Sequence, residues 1–137
     1  MARRVHVNPP DWPAPPGYSH AVVTGGGRLV VVSGQVPVDA SGALVGGADF
    51  AAQARQAFEN LGTVLAAAGA DFGDVVKLTY FVVGVSPERV VALRSLRDGH
   101  LGAGPRPASS LVGVAGLFRP DVLVEIEAIA ELPTEAP

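Results

Sequence analysis

The chain has no cysteine among its 137 residues. This excludes disulfides, thiolate metal sites and a cysteine nucleophile, and it fits a cytosolic, cytoplasmic protein. The three histidines, His6, His20 and His100, show neither HxH nor HxxxH spacing, so no metal is expected. There is no P-loop, dinucleotide fingerprint or GxSxG motif, so no cofactor is expected either. No lysine or arginine run is present, aromatic residues are 6%, and the net charge is −3. With a pI near 5.5, nucleic acid is not the expected partner. No window approaches the ~18 uninterrupted apolar residues of a membrane span. Met1-Ala2-Arg3-Arg4 is not followed by the apolar stretch of a signal peptide.

What remains is 48% hydrophobic and 17% charged, the balance of one globular domain over residues 1–137. A chain of this size buries about two-thirds of its unfolded surface and needs no covalent staple. The 17 glycines and 12 prolines fall mainly between periodic segments, as turn punctuation.

Five prolines over residues 1–17 predict an extended arm, with Val5 and Val7 suited to a short edge strand. Trp12 either covers a core edge or lines a pocket mouth. Tyr18–Thr24, Gly25-Gly26-Gly27 and Arg28–Gln35 read as a β-hairpin whose glycines supply positive φ. Leu29 to Val32 is continuously apolar, as in a central strand. At its end, Ser33-Gly34-Gln35 offers a small residue where backbone approaches a ligand.

Asp49 caps a predicted helix running to about Ala68, with Gly69 ending it. Its apolar stripe is Ala51, Ala54, Phe58, Leu61 and Leu65, while Gln53, Arg55, Gln56, Glu59 and Asn60 face elsewhere. Asp74–Val83 alternates as a strand. Ser86-Pro87 then opens a second helix to about His100, and His100 there reads as a helix-dipole partner or a solvated residue sooner than as a catalytic base. Residues 106–114 and 122–130 are β-prone runs joined through Pro120 and Asp121, a strand pair. On the second run Val122, Val124, Ile126, Ala128 and Ala130 form a core face. Glu125 and Glu127 lie on the other with Leu123 and Ile129. That second face is either a plain surface or the wall of a site or subunit interface. A frayed tail is expected over 132–137.

The order is hairpin, helix, strand, helix, hairpin, an α+β arrangement with both helices on one sheet face. The opposite face then lacks cover, which predicts self-association. The polar residues able to converge on a site are Tyr18, His20, Ser33, Gln35, Arg106, Ser109, Arg119 and Glu125.

Several segments resemble the RidA/YjgF family of reactive-intermediate deaminases, some of whose relatives are described as endoribonucleases. They are Pro16–Val22, Val32-Ser33-Gly34-Gln35-Val36-Pro37, the Asp49–Gly69 helix, Arg106-Pro107-Ala108-Ser109-Ser110 and Val124-Glu125-Ile126-Glu127-Ala128. The resemblance implies a chorismate-mutase-like, ferredoxin-like βαββαβ α+β fold and a homotrimer with ligand clefts between subunits. It also implies cofactor-free hydrolysis of imines or enamines to keto acids and ammonia. By the same resemblance Tyr18, Ser33 and Gly34 fall on cleft positions and Glu125 on the water-handling glutamate. Ser109 falls where deaminating members carry a carboxylate-clamping arginine, and Leu111 where many carry cysteine. A hydroxyl does not reproduce a bidentate guanidinium. The expectation is therefore a small-molecule hydrolase of altered specificity, with Glu125 and Ser109 catalytic. Tyr18, His20, Ser33, Gly34, Arg106 and Leu111 would bind substrate, and Arg106 or Arg119 would replace the clamp. The alternative is a ligand-binding trimer without catalysis.

Overall fold

A computed structural model describes residues 3–135. The readings that touch Met1, Ala2, Ala136 and Pro137 lie outside the described residues. The elements are β1 (Val5–Val7), β2 (Ala21–Val23), β3 (Arg28–Gln35), α1 (Phe50–Ala67), β4 (Val75–Val83), α2 (Pro87–Leu101), β5 (Ala108–Val114) and β6 (Val124–Leu132). A short 3₁₀ turn, Phe72–Asp74, precedes β4. Helix starts are set by local chemistry: the Asp49 carboxylate accepts from the Ala52 N–H, and the Ser86 hydroxyl accepts from the Arg89 N–H ahead of Pro87 at the first turn. No helix among the described residues is long and apolar enough to cross a membrane.

Four strands form the main sheet in the order β3-β6-β4-β5, and β1 with β2 makes a separate ribbon. Both helices pack on one sheet face, the α+β arrangement expected. Phe58, Leu61 and Leu65 of α1 and Leu93 of α2 meet Leu78, Tyr80, Val82, Val124, Ile126 and Ala128 of the sheet in one buried cluster. Within this sheet the elements run βαβαββ rather than βαββαβ.

Strand pairing departs from the expected hairpins at both ends. β2 pairs with β1, Val5 opposite Val23, and not with β3. The glycine link after β2 is drawn instead to the last strand: the Gly25 N–H donates to both oxygens of the fully buried Glu131 carboxylate, at 3.1 and 2.9 Å. Arg4 reaches the same carboxylate at 3.4 Å and Asp74 at 3.6 Å. At the other end β5 and β6 are not neighbours, because β4 lies between them. β5 runs parallel to β4, which α2 makes possible as the crossover a parallel pair requires. The loop 115–123 then lets β6 pass to the far side of β4. The last strand also continues through Leu132, inside the predicted tail.

Three side chains sit elsewhere than expected. Gln53 is fully buried, not turned away from the core. Trp12 is 59% exposed and covers no core edge. His100 is half-buried, stacked on Phe58 at 5.1 Å and 4.8 Å from Phe72, so it is more than a solvated dipole partner. The helix-free face carries Leu29 and Val31, 59% and 77% exposed, together with Glu125, Glu127 and Phe81.

Candidate functional site

A cavity of about 310 Å³ opens between α2 and the edge strand β5, with Tyr18, Tyr80, Arg94, Arg97, Ser109 and Leu111 in its walls. The register explains the strand contribution. Ser109 pairs with Leu78 and Leu111 with Tyr80 in the parallel ladder, so their side chains share the helix-side face. Tyr18 is brought in by Ser19. The Ser19 hydroxyl donates to the Arg106 carbonyl at 2.6 Å and its N–H to the Pro107 carbonyl at 3.0 Å, docking the loop on the start of β5. Gly17 in the same loop has φ +83, and a Cβ there would lie 2.8 Å from the Arg97 Cζ. The glycine therefore leaves the space that the Arg97 guanidinium occupies.

A second group forms on the opposite face of the sheet. Opposite β6 the β3 register is irregular between Val32 and Gln35, and this bulge carries Ser33 and Gly34. A Cβ on Gly34 would lie 2.5 Å from the Glu125 Cδ, so the Glu125 carboxylate rests against bare backbone. Glu125 pairs with Phe81 across β4 and alternates with the buried Val124 and Ile126. It therefore points away from the helices and away from the cavity of its own chain. Tyr18, Ser109 and Leu111 are together; Ser33, Gly34 and Glu125 are together; the two groups are not.

His20 is exposed, with its ring edge-on to Tyr18 at 5.4 Å and to Trp12 at 4.9 Å, outside the cavity wall. Gln35 donates to the Ser33 carbonyl at 3.1 Å. Arg119 lies 3.8 Å from Asp121 and stacks over Phe118, on the loop before β6. Arg106 reaches Asp98 at 3.5 Å. The same carboxylate oxygen takes the Arg97 Nε and Nη2, each at 3.1 Å. Burial pushes the Tyr80 phenol well above its ordinary value of 10.0, with Arg97 and Arg106 pulling down and Asp98 up. Tyr80, Arg94 and Arg97 escaped the sequence reading. One signal for them exists: Arg97 continues the α2 stripe of Val90 and Leu93 at spacings of three and four, a charge where core is due. Among the described residues no group of three or more acidic or histidine side chains is placed to hold a metal.

Fold and site together define a mixed α+β protein with a cavity of small-molecule size on its edge strand. The chain belongs to the endoribonuclease L-PSP family, the YjgF/Rid family, whose model matches residues 11–132. It is 42% identical over 106 residues to the 2-iminobutanoate/2-iminopropanoate deaminase of Salmonella typhimurium, covering 76% of this chain and 80% of that one. Protein DfrA of Myxococcus xanthus is 39% identical over 113 residues, 82% of this chain and 83% of its own. The crystal structure of the Rid-family protein YyfB from Yersinia pestis superposes with a TM-score of 0.85 at 42% identity, covering 94% of this chain and 98% of that one.

Proposed function

We propose that the protein is a RidA-like hydrolase of the cytoplasm that converts a short imine, or its enamine tautomer, to a keto acid and ammonia. The observation that carries this reading is the division of the site residues between two sheet faces. Tyr18 and Ser109 border the cavity beside α2, while Glu125 stands against Gly34 on the helix-free face. One chain does not present Glu125 to its own cavity; in this reading a neighbouring copy seated on the helix-free face brings its own cavity up to Glu125. This supports a homotrimer with the reaction in clefts between subunits. Membership of a family whose relative is named a 2-iminobutanoate/2-iminopropanoate deaminase supports the chemistry.

In this reading Glu125 takes a proton from water as the water oxygen adds to the imine carbon. Glu125 returns that proton to the nitrogen as the carbinolamine forms; the carbinolamine hydroxyl then passes its proton through Glu125 to the nitrogen, the C–N bond breaks with its electron pair leaving on nitrogen, and ammonia departs as the carbonyl forms. Ser109 and Tyr18 orient the substrate through their hydroxyls. No cofactor takes part.

Ser109 also motivates the second reading, a trimer that binds ligand without turnover. A hydroxyl stands where the resemblance implies an arginine, and a charge-assisted clamp is lost with it. The discriminating experiment mixes purified protein with freshly generated 2-aminoacrylate and follows ammonia and keto acid. Release above the free-solution rate, reduced roughly 100-fold or more in Glu125→Gln, is the expected result. Turnover no faster than in free solution, with saturable ligand binding, would establish the second reading in its place.

A further inference from the structure

The cavity wall formed by α2 has an electrostatic feature that Ser109 and Glu125 leave unused. Arg97 is only 7% exposed, and its guanidinium shares the single Asp98 carboxylate with Arg106. Two guanidinium groups thus face one carboxylate, and Arg94 adds a third at the exposed rim of the cavity. Two donors in the cluster are buried without a partner: the Tyr80 hydroxyl and the Arg106 Nη1. Tyr80 is itself 5% exposed and forms part of the cavity wall. Buried donors are normally satisfied, and excess buried positive charge is normally paired. An anion in the cavity meets the Tyr80 hydroxyl and the charge of Arg97, both in its wall, whereas Arg106 lies outside that wall. The remaining lining is apolar, with Pro16, Val90, Leu93 and Leu111, which suits a short carbon chain attached to that anion.

We propose that Arg97, Arg94 and the Tyr80 hydroxyl bind the carboxylate of a short aliphatic acid, so that the anion clamp of this protein stands on α2 and β4 rather than at position 109. Gly17 is part of the device, since any side chain there overlaps the Arg97 guanidinium. The planar fork of arginine favours a carboxylate, and Asp98 orients the fork from behind. The proposal deepens the reading of the same cavity and rests on its being a ligand site. It does not require that the ligand be hydrolysed.

The test is an NMR-monitored titration of the full chain, labelled with nitrogen-15, using sodium 2-oxobutanoate, its neutral amide and inorganic phosphate. The expected result is saturable binding of the acid, about tenfold or more tighter than the amide, since a charged hydrogen bond is worth about 1.5–3 kcal/mol. Arg94→Gln and Tyr80→Phe each weaken the acid several-fold and leave the amide unchanged. Tyr80→Phe is the decisive variant, because its hydroxyl has no partner within the protein. Its melting temperature is expected to stay level or rise while affinity for the acid falls. Arg97→Lys, which keeps the charge and loses the fork, weakens the acid further.

Equal binding of acid and amide, acid binding by Tyr80→Phe and Arg94→Gln as tight as wild type, or no saturable binding at all would each overturn the proposal. Phosphate binding as tight as the acid would overturn its assignment to carboxylates. Carboxylate binding with this variant pattern but without imine hydrolysis would overturn the hydrolase reading alone. Imine hydrolysis with none of the pattern would overturn the clamp alone.

Discussion

His100 occupies the last turn of α2 with its ring against Phe58 and Phe72. Burial holds its imidazole below the ordinary 6.5, with Glu59 pulling the other way. A group whose folded pKa is lowered takes up its proton more readily unfolded. Its contribution to stability is therefore complete above 6.5 and is withdrawn as pH falls from there toward the folded value. Denaturant unfolding at pH 7.5 and pH 5.5 should show wild type losing more stability than His100→Gln, and equal losses would refute this. Gly34 makes a second prediction at this scale. Its added Cβ would meet the Glu125 side chain from carboxylate to Cγ rather than backbone, so with that side chain turned aside Gly34→Ala should fold with stability within about 1 kcal/mol of wild type. The Glu125 carboxylate must move, however. A displacement of about 1 Å costs up to roughly 100-fold in turnover when geometry is rate-determining, and steady-state imine hydrolysis measured beside the melting curve checks both halves.

Among the elements, the start of α1 and the entry to β6 are joined by one side chain. Gln53 donates to the Gly47 and Asp121 carbonyls at 2.7 and 2.9 Å and accepts from the Leu123 N–H at 2.8 Å. Gln53→Ala leaves all three backbone groups without this partner in a buried place. The expected loss is about 3 kcal/mol by urea unfolding, since each stranded group costs about 1–3 kcal/mol and some relax to water. A loss below about 1 kcal/mol would show that the loop finds other partners. Sequence periodicity could not expose this role, because a fully satisfied amide is at home in a core while its residue type reads as surface. Strand partners were hidden for a related reason. Alternation tells which face a residue takes but not which strand lies beside it, so β5 and β6 read as neighbours although β4 separates them.

For the whole molecule, the helix-free face leaves Leu29 and Val31 open beside the Glu125 group. Apolar surface of this kind, continuous with half of a divided site, favours self-association. Light scattering should return a mass near three times 13.9 kDa, and Val31→Lys should lower both the mass and the proposed activity. A wild-type monomer that retains full activity would contradict the shared-cleft reading.

Residue spacing alone determined the helices, their caps, the alternation of the strands and the segments by which the family is similar, because these depend on neighbours along the chain. Alternation also drew attention to Glu125, while Ser109 and the role of Glu125 came from the family resemblance. Tertiary structure alone decided that Glu125 turns away from the cavity beside Ser109, that β4 lies between the last two strands, and that Arg97 and Tyr80 form part of the cavity wall. Those facts rest on sheet order and on how α2 crosses over the sheet. They join residues far apart in the chain, which no local periodicity records.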